Sequence, residues 1–239
     1  MKVEVVACSV DDCQRAEQAG ADRVELCVAL ELGGLTPTAG LFAQAQQAVK
    51  IPVVPMIRPR PGGFHYSVEE VKLMGLDLHS LVSEGAEAVV VGALTAEGEL
   101  ELDRLKAWRD RFPETDFIMH RAFDTVGNPA KALEALIRLG FVRVLTSGQK
   151  LTAFEGASAL RDLVQLAKDR ITVVAAGSIR AENVVDLGSV SGVSEVHLGP
   201  THPVESWSST SVNYGSHQVL DFEQVRAVVR ALRLGDYSS

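Results

Sequence analysis

Four times along this chain a glycine precedes, by four residues, the valine of a short β-type run: Gly20 and Val24, Gly85 and Val89, Gly140 and Val144, Gly192 and Val196. Each glycine stands where a helix ends on a left-handed residue, and each valine begins a run suited to a buried parallel strand. Further β-type runs lie between them, at Val3 to Cys8, Val53 to Ile57, Phe117 to His120 and Val173 to Ala176. Four pairs predict eight strands separated by helices. In 239 residues that count fits a (β/α)8 TIM barrel, one domain over 1–239, better than an open doubly wound α/β sheet with fewer strands. Helix starts are marked by Ser67 with Glu70, Asn128 before Pro129, Thr152 with Glu155, and Asp221 with Gln224. The Ser-rich stretch from Ser206 to Ser216 reads as a loop before the last helix.

Hydrophobic residues make up 46% of the chain, enough for one substantial core. A net charge of −8 argues against general binding to nucleic acid or to an anionic membrane surface. No apolar run approaches the ~20 residues of a membrane span, and no leader pattern precedes Asp11 and Asp12, so the expected compartment is the cytosol. Three cysteines without Cys-x-x-Cys spacing read as reduced thiols.

In such a barrel the chemistry belongs to the loops after the strands. Polar residues gather there: Glu25 and Cys27, Arg58 and Arg60, His120, Arg121 and Asp124, Ser147, Gly148 and Lys150, Gly177 and Ser178, and His197. Period-two alternation turns Val24, Leu26, Val196 and Leu198 toward the helices, and so puts Glu25, Cys27, Glu195 and His197 inside. Glu4 shares the inward face of its strand with Val6 and Cys8, and Arg58 is its natural ion-pair partner. The arginines suit a carboxylate or phosphate, the turns at Ser147-Gly148 and Gly177-Ser178 let backbone N–H groups approach it, and Lys150 adds charge. A helix starting near Ala181 aims its positive end at the same place. His120 with Asp124, and Glu25 as a second carboxyl, could move protons. Cys8 and Cys27 end neighbouring strands on one face, where two thiolates could hold copper(I).

Gly20-Ala-Asp-Arg-Val-Glu-Leu-Cys27 followed by Gly33-Gly34-Leu-Thr-Pro37, with Ile57-Arg-Pro-Arg60, His120-Arg-Ala-Phe-Asp124 and Arg143-Val-Leu-Thr-Ser-Gly148, resembles the copper homeostasis protein CutC family over about Glu4 to His197. The resemblance implies a cytosolic TIM-barrel protein that forms a homodimer or higher homo-oligomer and handles copper through thiol ligands. Val6 stands where family members can carry a first-strand cysteine. Arg58-Pro-Arg-Pro-Gly-Gly-Phe64 lacks the aspartate of the family's third loop. Leu198-Gly199-Pro200 replaces the usual sequence after strand eight.

Two functions follow. One is copper(I) binding at Cys27 with Cys8, with His120 or His197 as further ligands. The other is an isomerase or lyase acting on a small phosphorylated or carboxylated metabolite, in which Arg58, Arg60 and Arg121 clamp the anion while Glu25 and His120 move protons.

Overall fold

A computed structural model describes residues 1–205, 212 and 215–235 of the chain. Strands and helices alternate: β1 (Lys2–Ala7), α1 (Val10–Ala19), β2 (Arg23–Leu26), α2 (Ala39–Ala48), β3 (Val53–Pro55), α3 (Val68–Ser83), β4 (Ala88–Val91), α4 (Leu102–Arg111) and β5 (Asp116–Met119). The pattern continues through α5 (Pro129–Arg138), β6 (Arg143–Thr146), α6 (Ala157–Ala167), β7 (Thr172–Ala176), α7 (Val184–Ser191) and β8 (Glu195–Leu198). A hairpin of β9 (Thr201–Glu205) and β10 (Ser216–Leu220) comes next, and α8 (Phe222–Gly235) follows it.

The eight principal strands form one sheet in the order β3-β2-β1-β8-β7-β6-β5-β4. Its two ends meet where the Ile57 N–H donates to the Val90 carbonyl at 2.7 Å and Met56 bridges Val90 in parallel register. The sheet is therefore a (β/α)8 barrel. The four marker glycines take φ values of +95°, +97°, +76° and +71°, which an L-residue adopts only under strain.

Of the four capping signals, three stand at the helix starts and one is displaced. Ser67 and Glu70 form a reciprocal capping box on α3, the Asn128 side chain accepts from the Lys131 N–H on α5, and Asp221 accepts from the Gln224 N–H on α8. Thr152 and Glu155 exchange the same pair of bonds, yet α6 begins only at Ala157. That box closes a turn ahead of the helix.

Between β8 and α8 the chain forms β9 and β10, paired as antiparallel strands on either side of the Ser-rich stretch, and only its last residue, Ser216, falls in a strand. Most of their residues are exposed, and an exposed two-stranded ribbon carries little of the apolar alternation that marks a strand. The Ser-rich stretch itself, apart from residues 212, 215 and 216, lies outside the described residues.

Outward-facing strand residues such as Val24, Leu26, Phe117 and Val196 pack against Phe42, Met74, Leu105 and Leu136 of the helices in the main core. The barrel interior is divided. Val54, Val90, Ile118, Leu145, Val174 and Ala176 make an apolar layer on β3 to β7, whereas β1, β2 and β8 contribute Glu4, Arg23 and Glu195.

Arg23 is bonded to Glu4 through Nε and to Glu195 through Nη2, all three being buried. This corrects the expected pairing of Glu4 with Arg58. Glu4 and Arg23 are register partners on adjacent strands, so their inward side chains meet at one level, while Arg58 stands beyond the end of β3. Ion pairs of this kind offset the several kcal/mol that each isolated charge would cost in the interior. No helix among the described residues is long and apolar enough to cross a membrane.

Candidate active site at the barrel mouth

A cavity of about 490 Å³ opens where the strands end, and Glu25, Arg58, Phe64, His120, Arg121 and His197 are among the residues that line it. Glu25 reaches it from β2 because alternation turns its side chain inward between Val24 and Leu26. The residue is buried, and its Oε2 has no hydrogen-bond partner among the described residues. Burial chiefly, with the charge of Glu4 adding to it and His197 opposing, raises its pKa to about 7.

His197, one strand away on β8, holds Nδ1 2.7 Å from Glu4 Oε1. Burial lowers its pKa, but Glu25 and Glu4 together prevail and raise it. Glu4 itself is brought down to about 2: burial pushes it up, and the His197 hydrogen bond and the Arg23 charge outweigh that. Ligand atoms of Glu4, Glu25 and His197 all lie within 4.8 Å of one another, a spacing that could hold a metal ion. Glu4, however, is already bonded to Arg23 and His197. The trio is better suited to sharing protons than to ligating a cation.

His120 follows β5, and its Nδ1 accepts the Ala122 N–H at 3.1 Å. That bond assigns the proton of the neutral ring to Nε2, which is buried and without a partner among the described residues. Burial first, and then the charge of Arg58, lowers the pKa to about 3. The imidazole therefore stays neutral and presents a donor. Phe64 packs on it at 4.9 Å between ring centroids, and Gly92 leaves room on the other side, since a Cβ there would overlap the ring.

The arginines are largely committed to the loops. Arg58 donates through Nη1 to the carbonyls of Leu32 and Gly34, each at 3.0 Å, and through Nη2 to that of Gly62 at 2.9 Å, leaving Nε without a partner. Its guanidinium lies 5.2 Å over the Phe64 ring. Arg121 bonds Asp124 at 2.8 Å and the Ser147 hydroxyl at 3.0 Å. Asp124 also accepts from the N–H groups of Ser147 and Gln149 and from the Thr146 hydroxyl. It is the clasp that fixes Arg121 to the loop after β6. Beyond β7, Gly177 and Ser178 both adopt left-handed backbone, φ +116° and +55°, and their turn lines the cavity with Arg180.

Beside the cavity, the Sγ atoms of Cys8 and Cys27 are 3.8 Å apart. Cys27 is fully buried with Val6 and Met56, and Cys8 is partly exposed. The contact with Cys27 lowers the pKa of Cys8, and the same contact together with burial raises that of Cys27. Met56 Sδ and Cys27 Sγ both border Gly34, within 3.1 and 3.2 Å of where its Cβ would be. Three sulfurs thus gather on one wall.

The CutC family model matches residues 1–201. A Treponema denticola protein named as family protein CutC is 37% identical over 97% of this chain and 99% of its own length. The human copper homeostasis protein cutC homolog is 41% identical over 82% of this chain and 71% of its own. The chain belongs to the CutC family. A CutC-named structure from Streptococcus agalactiae superposes with a TM-score of 0.79 at 30% identity, covering 83% of this chain and 98% of that one. A phosphoribosylanthranilate isomerase from Thermotoga maritima, at TM-score 0.59 and 14% identity, shares the fold alone.

In this CutC family member the cavity brings together Glu25, Arg58, His120, Arg121, Gly177, Ser178 and His197. It does not bring in Arg60, which bonds Glu70 and the carbonyls of Pro61, Gly63 and His65 and so braces the loop after β3. Lys150 is exposed, and its carbonyl accepts the Ser147 hydroxyl. Gly148 packs against Gly156, away from the mouth. Asp124 and Ser147 support Arg121 from behind. The helix after Ser178 starts at Val184, three residues later than Ala181. Phe64 and Met56 escaped the sequence reading. Met56 could have been found, because it shares the parity of inward-facing Val54, whereas nothing local marks Phe64.

Proposed function

We propose that the cavity is the active site of an enzyme that moves a proton on a small anionic carbonyl compound, an isomerase or lyase reaction. The observation that carries this reading is Glu25: a buried carboxyl with one oxygen unpartnered, facing the cavity beside His197 and poised near neutral pH. A carboxyl so placed takes a proton from carbon and returns it efficiently. The neutral His120 donates Nε2–H to the substrate oxygen as negative charge develops there. His197 balances the charge of Glu25 as protons move. Arg121, Arg180 and the Gly177-Ser178 turn hold the anionic group, and about 490 Å³ suits a metabolite of modest size.

The test is proton exchange with solvent. Phosphorylated and carboxylated aldehydes and ketones are incubated with the protein in heavy water, and deuterium at carbon is followed by NMR. The reading expects incorporation into at least one compound and its loss in Glu25→Gln. No incorporation across the panel, or equal rates in that variant, would overturn it.

A second reading rests on the sulfurs. Cys8 and Cys27 at 3.8 Å, with Met56 alongside, offer the soft donors that select copper(I), and relatives bear a copper homeostasis name. Copper here is cargo. Anaerobic competition titration decides it: an unchanged affinity in Cys27→Ala removes this reading. Resemblance to the family also supports a cytosolic homo-oligomer, which light scattering on the purified protein tests.

A further inference from the structure

We propose that Cys8 and Cys27 are a reversible dithiol, with Cys8 as the site of attack on low-molecular-weight disulfides and Cys27 as the resolving thiol. The pair stands on adjacent parallel strand ends. Ala7 and Leu26 are register partners, and the Cys27 N–H continues the ladder by donating to the Ala7 carbonyl at 3.0 Å. Neighbouring strands run about 4.8 Å apart, and disulfides form across Cα separations of about 4.4–6.8 Å. The backbones are thus already spaced for a bond. The sulfurs, at 3.8 Å, need to close by roughly 1.8 Å, within reach of a side-chain rotation.

Exposure separates the two roles. Cys8 is partly open to solvent, so a small disulfide reaches its sulfur first, while Cys27 is fully buried with its sulfur against that of Cys8. The Cys8 thiolate attacks one sulfur of the small disulfide, forming a mixed disulfide and expelling one thiolate. Cys27 then attacks the Cys8 sulfur, gives its proton to the second leaving thiolate, and completes the internal bond. Two protein thiols are oxidised and one small disulfide is reduced to two thiols. Cys27 packs with Met56, a residue of the cavity wall, so the redox state of the pair lies beside the proposed active site.

Cys13 is the internal control. It is fully buried on α1, and burial pushes its thiol up to about 12.

The experiment equilibrates the full chain, with a metal chelator present, against graded ratios of reduced to oxidised glutathione. Acid quenching, alkylation and peptide mass spectrometry then read each thiol. Wild type is expected to lose two of its three free thiols together, to yield a linked Cys8 and Cys27 peptide pair, and to regain both on reduction. Cys27→Ser should stop at a glutathione adduct on Cys8, and Cys8→Ser should keep Cys27 reduced. Wild type that halts at the Cys8 adduct, or that keeps both thiols reduced at the most oxidising ratio, overturns the proposal, as does attack at Cys27 in Cys8→Ser. Circular dichroism of both variants establishes that they are folded before the thiols are read.

Discussion

Glu4 Oε1 and His197 Nδ1, 193 residues apart in sequence, meet at 2.7 Å inside the barrel, while the other Glu4 oxygen is bonded to Arg23. Glu4 therefore joins a structural ion pair to the imidazole at the mouth. Glu4→Gln leaves Arg23 and His197 with a neutral partner, and breaking buried pairs of this kind costs about 3–5 kcal/mol. Urea denaturation should show that loss. NMR titration should show the His197 pKa falling, since two of the influences that raise it come from Glu4.

Glu25 gives a stability signature of opposite sign to an ordinary buried carboxylate. Its pKa rises from 4.5 to about 7 on folding, so the folded chain holds the proton longer than the unfolded chain. Its contribution is most favourable below 4.5 and is lost as pH rises through about 7. Glu25→Gln removes that decline. The variant should gain on wild type between those two pH values by on the order of 3 kcal/mol, read from urea midpoints across the window.

His120 pulls the other way. Unfolded, it takes a proton near 6.5, and folded only near 3. The stability it gives by staying neutral is complete above 6.5 and is lost as pH falls toward 3. His120→Gln should flatten this acid-side loss, which for wild type is on the order of 5 kcal/mol, in thermal melts recorded from neutral to acidic pH.

Asp124 positions Arg121 and does not face the cavity. Asp124→Ala frees Arg121 and strands the N–H groups of Ser147 and Gln149. If the cavity is an active site, this variant should raise KM more than it lowers kcat, and Asp124→Glu should restore part of the loss. An effect on kcat alone would place Asp124 in the chemistry instead.

Gly156 tests the loop after β6 independently of function. A methyl group there would overlap the Ser147 carbonyl, which is backbone and cannot swing aside. Gly156→Ala should destabilise the protein by about 3 kcal/mol, measured by urea unfolding.

The barrel was legible because its punctuation is local: a left-handed glycine and the valine four residues later need no knowledge of the rest of the chain. Convergence of Glu25, Arg58, His120 and His197 followed from alternation once the sheet was closed. Arg23 was missed as the partner of Glu4 because it opens β2 directly after a glycine turn, where it resembles a loop residue. Its inward direction follows from the same parity that turned Glu25 inward, applied one step earlier. Arg60 and Lys150 could not be separated from Arg58 and Arg121 by sequence, since position at a strand end does not reveal which carboxylates and carbonyls a long side chain will find. For Arg60 the deciding contact is Glu70, ten residues on and in the next helix.

The divided interior bears on any guest that enters. One wall, from β1, β2 and β8, bears the ionisable Glu4, Glu25 and His197, and the facing layer from β3 to β7 is apolar apart from Arg143 at its foot and Arg58 and His120 at its rim. A molecule with a polar and an apolar end is thus turned before it touches any particular side chain, and its reactive edge is delivered toward Glu25.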